Sequence, residues 1–161
     1  MNPNEGRRLA GFSRAVRESS LKRLLQVPLG GENWSPLSGV LTFADIAHHI
    51  NEADRWLFQK LEDPTLPKMA GKTGEATHVT SEQFQEMVTK MRWSGEQRAR
   101  LLSTLTDSVL NSPISDDRFC EVTIWWVIVR GNLDHEAHHR GQLAVYLRLI
   151  QESMKVTPMK L

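Results

Sequence analysis

Apolar residues recur at helical spacing along four long stretches of the chain, which are separated by segments containing proline or glycine. This pattern predicts helices over about residues 4–26, 42–62, 80–110, and from between 117 and 123 to about 152. Two of these helices begin with residues typical of a capping box, Thr42 with Asp45 and Thr80 with Gln83. A long polar connection over residues 63–79 separates the second helix from the third.

At the beginning of the fourth stretch, the residue types fit either a helix or a strand. Residues 122–129 are rich in β-branched and aromatic side chains, which taken alone would suit a buried strand. We expect a helix there because the sequence shows no partner strand and the helical period continues through Leu143 and Tyr146. The prediction is an all-α fold, a four-helix bundle of the up-down type, forming a single domain over residues 1–161 with its core at about 5–152.

Charge and composition exclude several classes of protein. The 20 Lys and Arg residues against 19 Asp and Glu give a formal net charge of +1, which leaves no basic field for a nucleic-acid backbone. No apolar run approaches the ~20 residues that span a bilayer, and the N-terminal residues lack the apolar segment of a secretory signal. A single cysteine, Cys120, excludes an internal disulfide framework. We therefore expect a cytoplasmic protein that binds neither nucleic acid nor membrane.

Five of the six histidines fall into two tight groups, His48 with His49 and His135 with His138 and His139. At about 100° per residue, His49 lies at the edge of the apolar face of the second helix, whereas His48 points away from it. On the fourth helix, His135 and His139 lie near the centre of the inward face, and His138 is displaced from it. Helical geometry thus selects three histidines that can meet.

An inward pair at i and i+4, joined by an imidazole from another helix, supplies three nitrogen donors and leaves a position for water or substrate. Open sites of this kind are typical of catalytic zinc, although nickel, iron and copper accept the same ligands. The alternative is a set of core histidines that only make hydrogen bonds. Asn132 and Gln142 share the face of His135 and are predicted either to orient the imidazoles or to hold a metal-bound water.

Residues 135–139 also satisfy the H-E-x-x-H motif of zinc proteases, in which the glutamate activates water. The metzincin extension would need Gly at 142 and His at 145, where this chain has Gln142 and Val145. A later acidic ligand exists only at Glu152, close to the end of the helix. A protease is therefore disfavoured.

Two segments carry a resemblance to a known family. Residues 132–143, NLDHEAHHRGQL, resemble the N-x-x-H-x-x-x-H-R-G-Q signature of the DinB-like (DinB/YfiT-like) family. Residues 45–56, DIAHHINEADRW, are similar to that family's pattern on the second helix. The resemblance implies a four-helix bundle, often a homodimer, with a divalent metal ion such as zinc or nickel held by His49, His135 and His139.

Enzymes similar to this family include thiol-dependent transferases that use bacillithiol or mycothiol, and a mycothiol-dependent maleylpyruvate isomerase. The resemblance therefore implies a metal-dependent transferase or hydrolase that acts on a small molecule, with a low-molecular-weight thiol as a cosubstrate. The alternative is a non-catalytic ligand-binding or stress-response module whose metal site is structural or vestigial. The motifs assign no catalytic or cofactor-binding residue beyond the three metal ligands.

Overall fold

The structure, a computed structural model, describes residues 4–69 and 78–156 and is predominantly helical. Its elements, in chain order, are α1 (Glu5–Leu24), α2 (Phe43–Glu62), α3 (Ser81–Thr104), α4 (Asp107–Leu110), β1 (Pro113–Asp116), β2 (Cys120–Thr123), α5 (Ile124–Trp126), a π-helical segment (Val127–Leu133) and α6 (Asp134–Val156). The predicted all-α class is confirmed. None of the helices in the described ranges has the length and apolar character needed to cross a membrane.

The long helices begin where side-chain caps satisfy their first backbone amides. Both predicted capping boxes form: the Thr42 hydroxyl accepts from the Asp45 amide at 3.0 Å, and the Thr80 hydroxyl accepts from the Gln83 amide at 3.2 Å. In each case the third helical side chain reaches back to the cap amide. α3 ends at Thr104, earlier than predicted, and Thr106 caps the separate short helix α4.

The helix directions differ from the predicted up-down alternation. One end of the core contains Leu24 from the end of α1, Phe43 and Phe84 from the starts of α2 and α3, and Ile150 from near the end of α6. α2 and α3 therefore run parallel, as do α1 and α6. Of the connection between α2 and α3, residues 70–77 lie outside the described ones. α1 and α2 each pack on α3 and α6.

An antiparallel β-hairpin precedes the fourth long helix, so the expectation that the sequence contains no partner strand was wrong. Strand β1 pairs with β2 so that Ile114 lies opposite Val122. Cys120 closes the turn with a φ of 65°, the left-handed conformation common in hairpin loops. The helix begins at Ile124 with Thr123 as its cap residue, at the late end of the predicted range. Strand β1 is only four residues long and begins at Pro113.

A π-helical segment, Val127–Leu133, leads directly into α6. Its wider turns change the direction in which successive side chains point, so it sets the rotation of α6 about its axis. Gly131 lies against the indole of Trp56, where an added Cβ would approach Trp56 Cη2 to 3.2 Å. Such segments are rare and are often found beside functional sites.

Candidate metal centre

Three imidazoles meet between α2 and α6. His49 comes from α2, and His135 and His139 come from successive turns at the start of α6. Each offers a ring nitrogen, and the three nitrogens lie within 4.8 Å of one another. The Nε2 atoms of His135 and His139 are 3.0 Å apart. The structure thus brings together the three histidines that helical geometry had selected.

Burial lowers the pKa of two of these imidazoles, those of His135 and His139. His49 and His139 are buried and His135 is half-buried, beside the fully buried side chains of Ile46 and Ile50 on α2. Desolvation, followed by the charge of His49, lowers the pKa of His135 to about 4. Desolvation also lowers the pKa of His139 to about 4, against the opposing effect of its hydrogen bond to Gln142. At neutral pH both rings therefore present lone pairs.

Gln142 fixes the orientation of His139. Its Oε1 lies 2.7 Å from His139 Nδ1, and because an amide oxygen only accepts, Nδ1 carries the proton. The Nε2 lone pair of His139 is then directed toward His135. The predicted role of Gln142 agrees with this contact. The matching prediction for Asn132 was wrong, because its amide bonds to Arg98 and to the Ala53 carbonyl instead.

The remaining histidines lie outside the cluster. His48 is exposed, and its Nε2 lies 3.2 Å from Glu52 Oε1. His138 is exposed beside the ring of His139, and His78 is exposed at the start of the approach to α3. The outward orientation predicted for His48 and His138 agrees with these positions.

Glu136 cannot play the water-activating role that an H-E-x-x-H protease requires. Its side chain is only 1% exposed, and its two oxygens accept hydrogen bonds from Arg17 Nε and Arg98 Nη1, each at 2.7 Å. Burial raises its pKa, but the guanidinium groups of Arg98 and Arg17 outweigh that effect and hold it at about 2. Because the carboxylate is engaged in ion pairs with Arg17 and Arg98, Glu136 cannot serve as the base of an H-E-x-x-H protease.

Those ion pairs belong to a buried network that the sequence analysis missed. Arg17, Asp54, Arg98 and Glu136 come from four different helices, and each side chain is at most 4% exposed. We call these four residues the ionic network. Its signal was present in the sequence: on α1, the buried positions Ser13, Arg17, Ser20 and Leu24 recur at helical spacing, so Arg17 falls within the inward stripe.

The donor set of the histidine cluster fits a divalent metal ion. The cluster consists of three imidazole nitrogens, the ligand type that zinc, nickel and copper share. His135 Nδ1 is buried and has no hydrogen-bond partner among residues 4–69 and 78–156. Three like donors from two helices leave at least one coordination position for another ligand, as in open sites.

A cavity of about 640 Å³ lies on the other side of α2, between α2 and α3. His48, Glu52 and Phe58 line it from α2, and Met87 and Trp93 line it from α3. None of the three clustered histidines contributes to its wall. Its volume is that of a small-molecule site, and Glu52, which lines it, lies 3.8 Å from Nδ1 of His49.

The comparisons with known proteins agree with the fold and the motifs. The DinB-like protein YjoA from Bacillus subtilis has a similar solved structure, with a TM-score of 0.66 at 14% sequence identity over 89% of this chain and 92% of that chain. No curated protein matches the chain. The family model of the DinB superfamily matches residues 14–143, which include all three clustered histidines. The chain belongs to the DinB superfamily.

Proposed function

We propose that the protein binds one divalent metal ion through His49, His135 and His139 and uses it in a group-transfer or hydrolytic reaction. The observation that carries this proposal is the convergence of three imidazole nitrogens within 4.8 Å between α2 and α6. Zinc and nickel are the ions that we expect, because both accept three imidazoles with an open position.

The residues around the cluster have defined tasks in this proposal. Gln142 holds the Nδ1 proton of His139 and so keeps Nε2 free to bind the ion. Burial lowers the pKa of His135 and His139 and so keeps these two rings unprotonated at neutral pH. When bound, the ion would act as a Lewis acid and lower the pKa of a water molecule or of a small thiol.

Calorimetric titration of the chelator-treated protein with zinc and with nickel tests the metal site. We expect one ion per chain in the wild type and no binding above background in His139→Ala. His138→Ala is the matched control, because His138 is adjacent in sequence and exposed. The proposal fails if the wild type binds neither ion, or if His138→Ala loses binding to the same extent as His139→Ala.

The proposed chemistry needs a separate test, with a low-molecular-weight thiol as the cosubstrate of a transfer to a small molecule. Cobalt-loaded protein is titrated with cysteine as a probe thiol. We expect a sulfur-to-cobalt charge-transfer band in the near ultraviolet, because the open position would take the thiolate. A cobalt spectrum that cysteine does not change would instead support the alternative, a non-catalytic ligand-binding module with a structural metal ion. Under that alternative, His135→Ala lowers the melting temperature without removing any turnover.

We further propose a homodimer that resides in the cytoplasm. Two aromatic side chains near the hairpin support the dimer, because Phe119 is 57% exposed and Trp125 is 37% exposed. Exposed aromatic groups of this size are enriched in protein interfaces. Sedimentation velocity at micromolar concentration tests the assembly, and a species of 18.4 kDa, the mass of one chain, would overturn it.

A further inference from the structure

The ionic network cross-links the two helices that carry the histidine cluster. Arg98 Nη1 donates to Asp54 Oδ1 on α2 at 2.8 Å and to Glu136 Oε2 on α6 at 2.7 Å. Arg17 Nη2 makes the same pair of contacts, to Asp54 Oδ2 at 2.8 Å and to Glu136 Oε2 at 2.9 Å. Each arginine therefore bridges one carboxylate from each of the two helices.

The network residues lie next to the clustered histidines along both helices. Glu136 directly follows His135, and Asp54 lies five residues beyond His49 on α2. Asn132, one turn before His135, donates to the Ala53 carbonyl at 3.1 Å and accepts from Arg98 Nη1 at 2.9 Å. The connection from α2 to the start of α6 is thus made within about one and a half turns of the histidines.

The contacts specify geometry as well as charge. Two guanidinium groups face two carboxylates, so the formal charges cancel within the network. A guanidinium fork binds only where its planar N–H groups meet their acceptors, so a slide or rotation of α6 against α2 would break several bonds together. Such a displacement would separate buried charges from their partners of opposite sign, which makes it costly.

The start of α6 is where such a constraint matters most. The π-helical segment Val127–Leu133 ends directly before α6, and a return to ordinary α-helical turns one residue earlier or later would rotate His135 and His139 about the helix axis. Metal sites tolerate errors of only about 0.5 Å in ligand placement. A fixed rotation of α6 is therefore required for three imidazoles to meet one ion.

We propose that Arg17 and Arg98 are positioning residues of the metal site. By binding Asp54 and Glu136 together, they hold the register of α6 against α2, and this register directs His135 and His139 toward His49. The inference rests on the proposed function, since it concerns the same three ligands. It goes beyond that function by assigning the network a role in metal affinity and coordination geometry as well as in folding.

The test compares cobalt binding by the wild type and by Arg98→Lys, Glu136→Gln and Leu24→Ala. Lysine keeps the positive charge of residue 98, but a single ammonium group does not reproduce the guanidinium fork. Glu136→Gln keeps the shape of the side chain and removes its charge. Leu24→Ala is the matched control, because Leu24 is 1% exposed in the core of α1 and its removal destabilises the fold without touching the network.

We expect the cobalt dissociation constant to rise at least about tenfold in Arg98→Lys and in Glu136→Gln, with an altered visible cobalt spectrum. Leu24→Ala should stay within about twofold of the wild type, with an unchanged spectrum, although it unfolds at a lower temperature. Wild-type affinity and spectrum in Arg98→Lys would overturn the positioning role, even if Glu136→Gln failed to fold. Absence of cobalt binding by the wild type would instead overturn the proposed metal site itself.

Discussion

Two polar clusters lie side by side in the same core, and they begin at neighbouring residues of α6. Glu136 belongs to the ionic network, in which every formal charge faces an opposite one. His135 belongs to the histidine cluster, which contains three nitrogen donors of the same kind. Adjacent side chains of one helix thus point into two sites of different chemistry.

The difference shows how each cluster meets the cost of burying polar groups. The network does so internally, since two arginines and two carboxylates satisfy one another and leave nothing for a ligand. In the histidine cluster, burial lowers the pKa of His135 and His139, so these two rings are neutral and retain lone pairs that can bind a cation. The charges of the first cluster are balanced within it, whereas the convergent nitrogens of the second support the proposal that it binds an ion.

The largest expected effect comes from breaking the network. Arg98→Met leaves Asp54 and Glu136 with one arginine for two buried carboxylates, so we expect a loss of about 3–5 kcal/mol in the free energy of unfolding. His139→Ala should cost less than half as much in metal-free protein, because no charge is left uncompensated. Urea unfolding in the presence of a chelator measures both, and equal losses would contradict the contrast between the clusters.

Metal addition should stabilise the fold through the histidine cluster alone. At a free zinc concentration of 100 times the dissociation constant, we expect the free energy of unfolding to rise by about 2.7 kcal/mol. His49→Ala should abolish the gain, whereas His48→Ala, an exposed neighbour, should retain it. Thermal unfolding with and without zinc provides the measurement, and a gain that persists in His49→Ala would place the ion elsewhere.

Acidification should affect the clusters in two separate pH ranges. The pKa values of His135 and His139 fall from 6.5 to about 4 on folding, so the unfolded chain binds more protons between these values and stability drops as the pH falls through them. The pKa of Glu136 falls from 4.5 to about 2, so its contribution is lost only as the pH falls through that lower range.

The loss between pH 8 and 4.5 should be about 2 kcal/mol in metal-free protein, after allowance for solvent screening of the partly exposed rings. A His135→Asn, His139→Asn double variant should lose this dependence and keep the steeper loss below pH 4.5. Urea unfolding at a series of pH values resolves the two ranges. An unchanged dependence above pH 4.5 in the double variant would show that other groups cause it.

The smallest effect should come from the amide that orients His139. Gln142→Ala removes the acceptor of the Nδ1 proton, and we expect the zinc dissociation constant to rise about tenfold, or about 1.4 kcal/mol. Gln142→Glu keeps an acceptor and should bind zinc at least as tightly as the wild type. Competition with a chromophoric chelator measures both variants, and equal affinities in Gln142→Ala and wild type would remove Gln142 from the site.

Local patterns in the sequence were sufficient for the helices and the histidines. The capping boxes at Thr42 and Thr80 and the apolar face of α2 depend on neighbouring residues, and all of them form. His135 and His139 were placed together because positions i and i+4 share one face of any α-helix. The prediction of His49 as their partner needed only its position beside the apolar face of α2.

The remaining features depend on contacts between distant segments. The hairpin was missed because a four-residue strand beginning with Pro113 gives little local signal until it pairs. The π-helical segment changes the angle between side chains before and after it, which a constant 100° per residue does not predict. The ionic network was missed because Arg17 and Arg98 can be buried only by carboxylates from other helices.

X-ray absorption at the zinc edge of the zinc-loaded protein tests the central claim most directly, because it counts the ligands of the ion. We expect three imidazole nitrogens at about 2.0–2.1 Å, with the outer-shell scattering of intact rings, in the wild type and in His138→Ala. His139→Ala should not retain the three-imidazole signal. A wild-type spectrum with fewer than three imidazoles would contradict a site built by His49, His135 and His139.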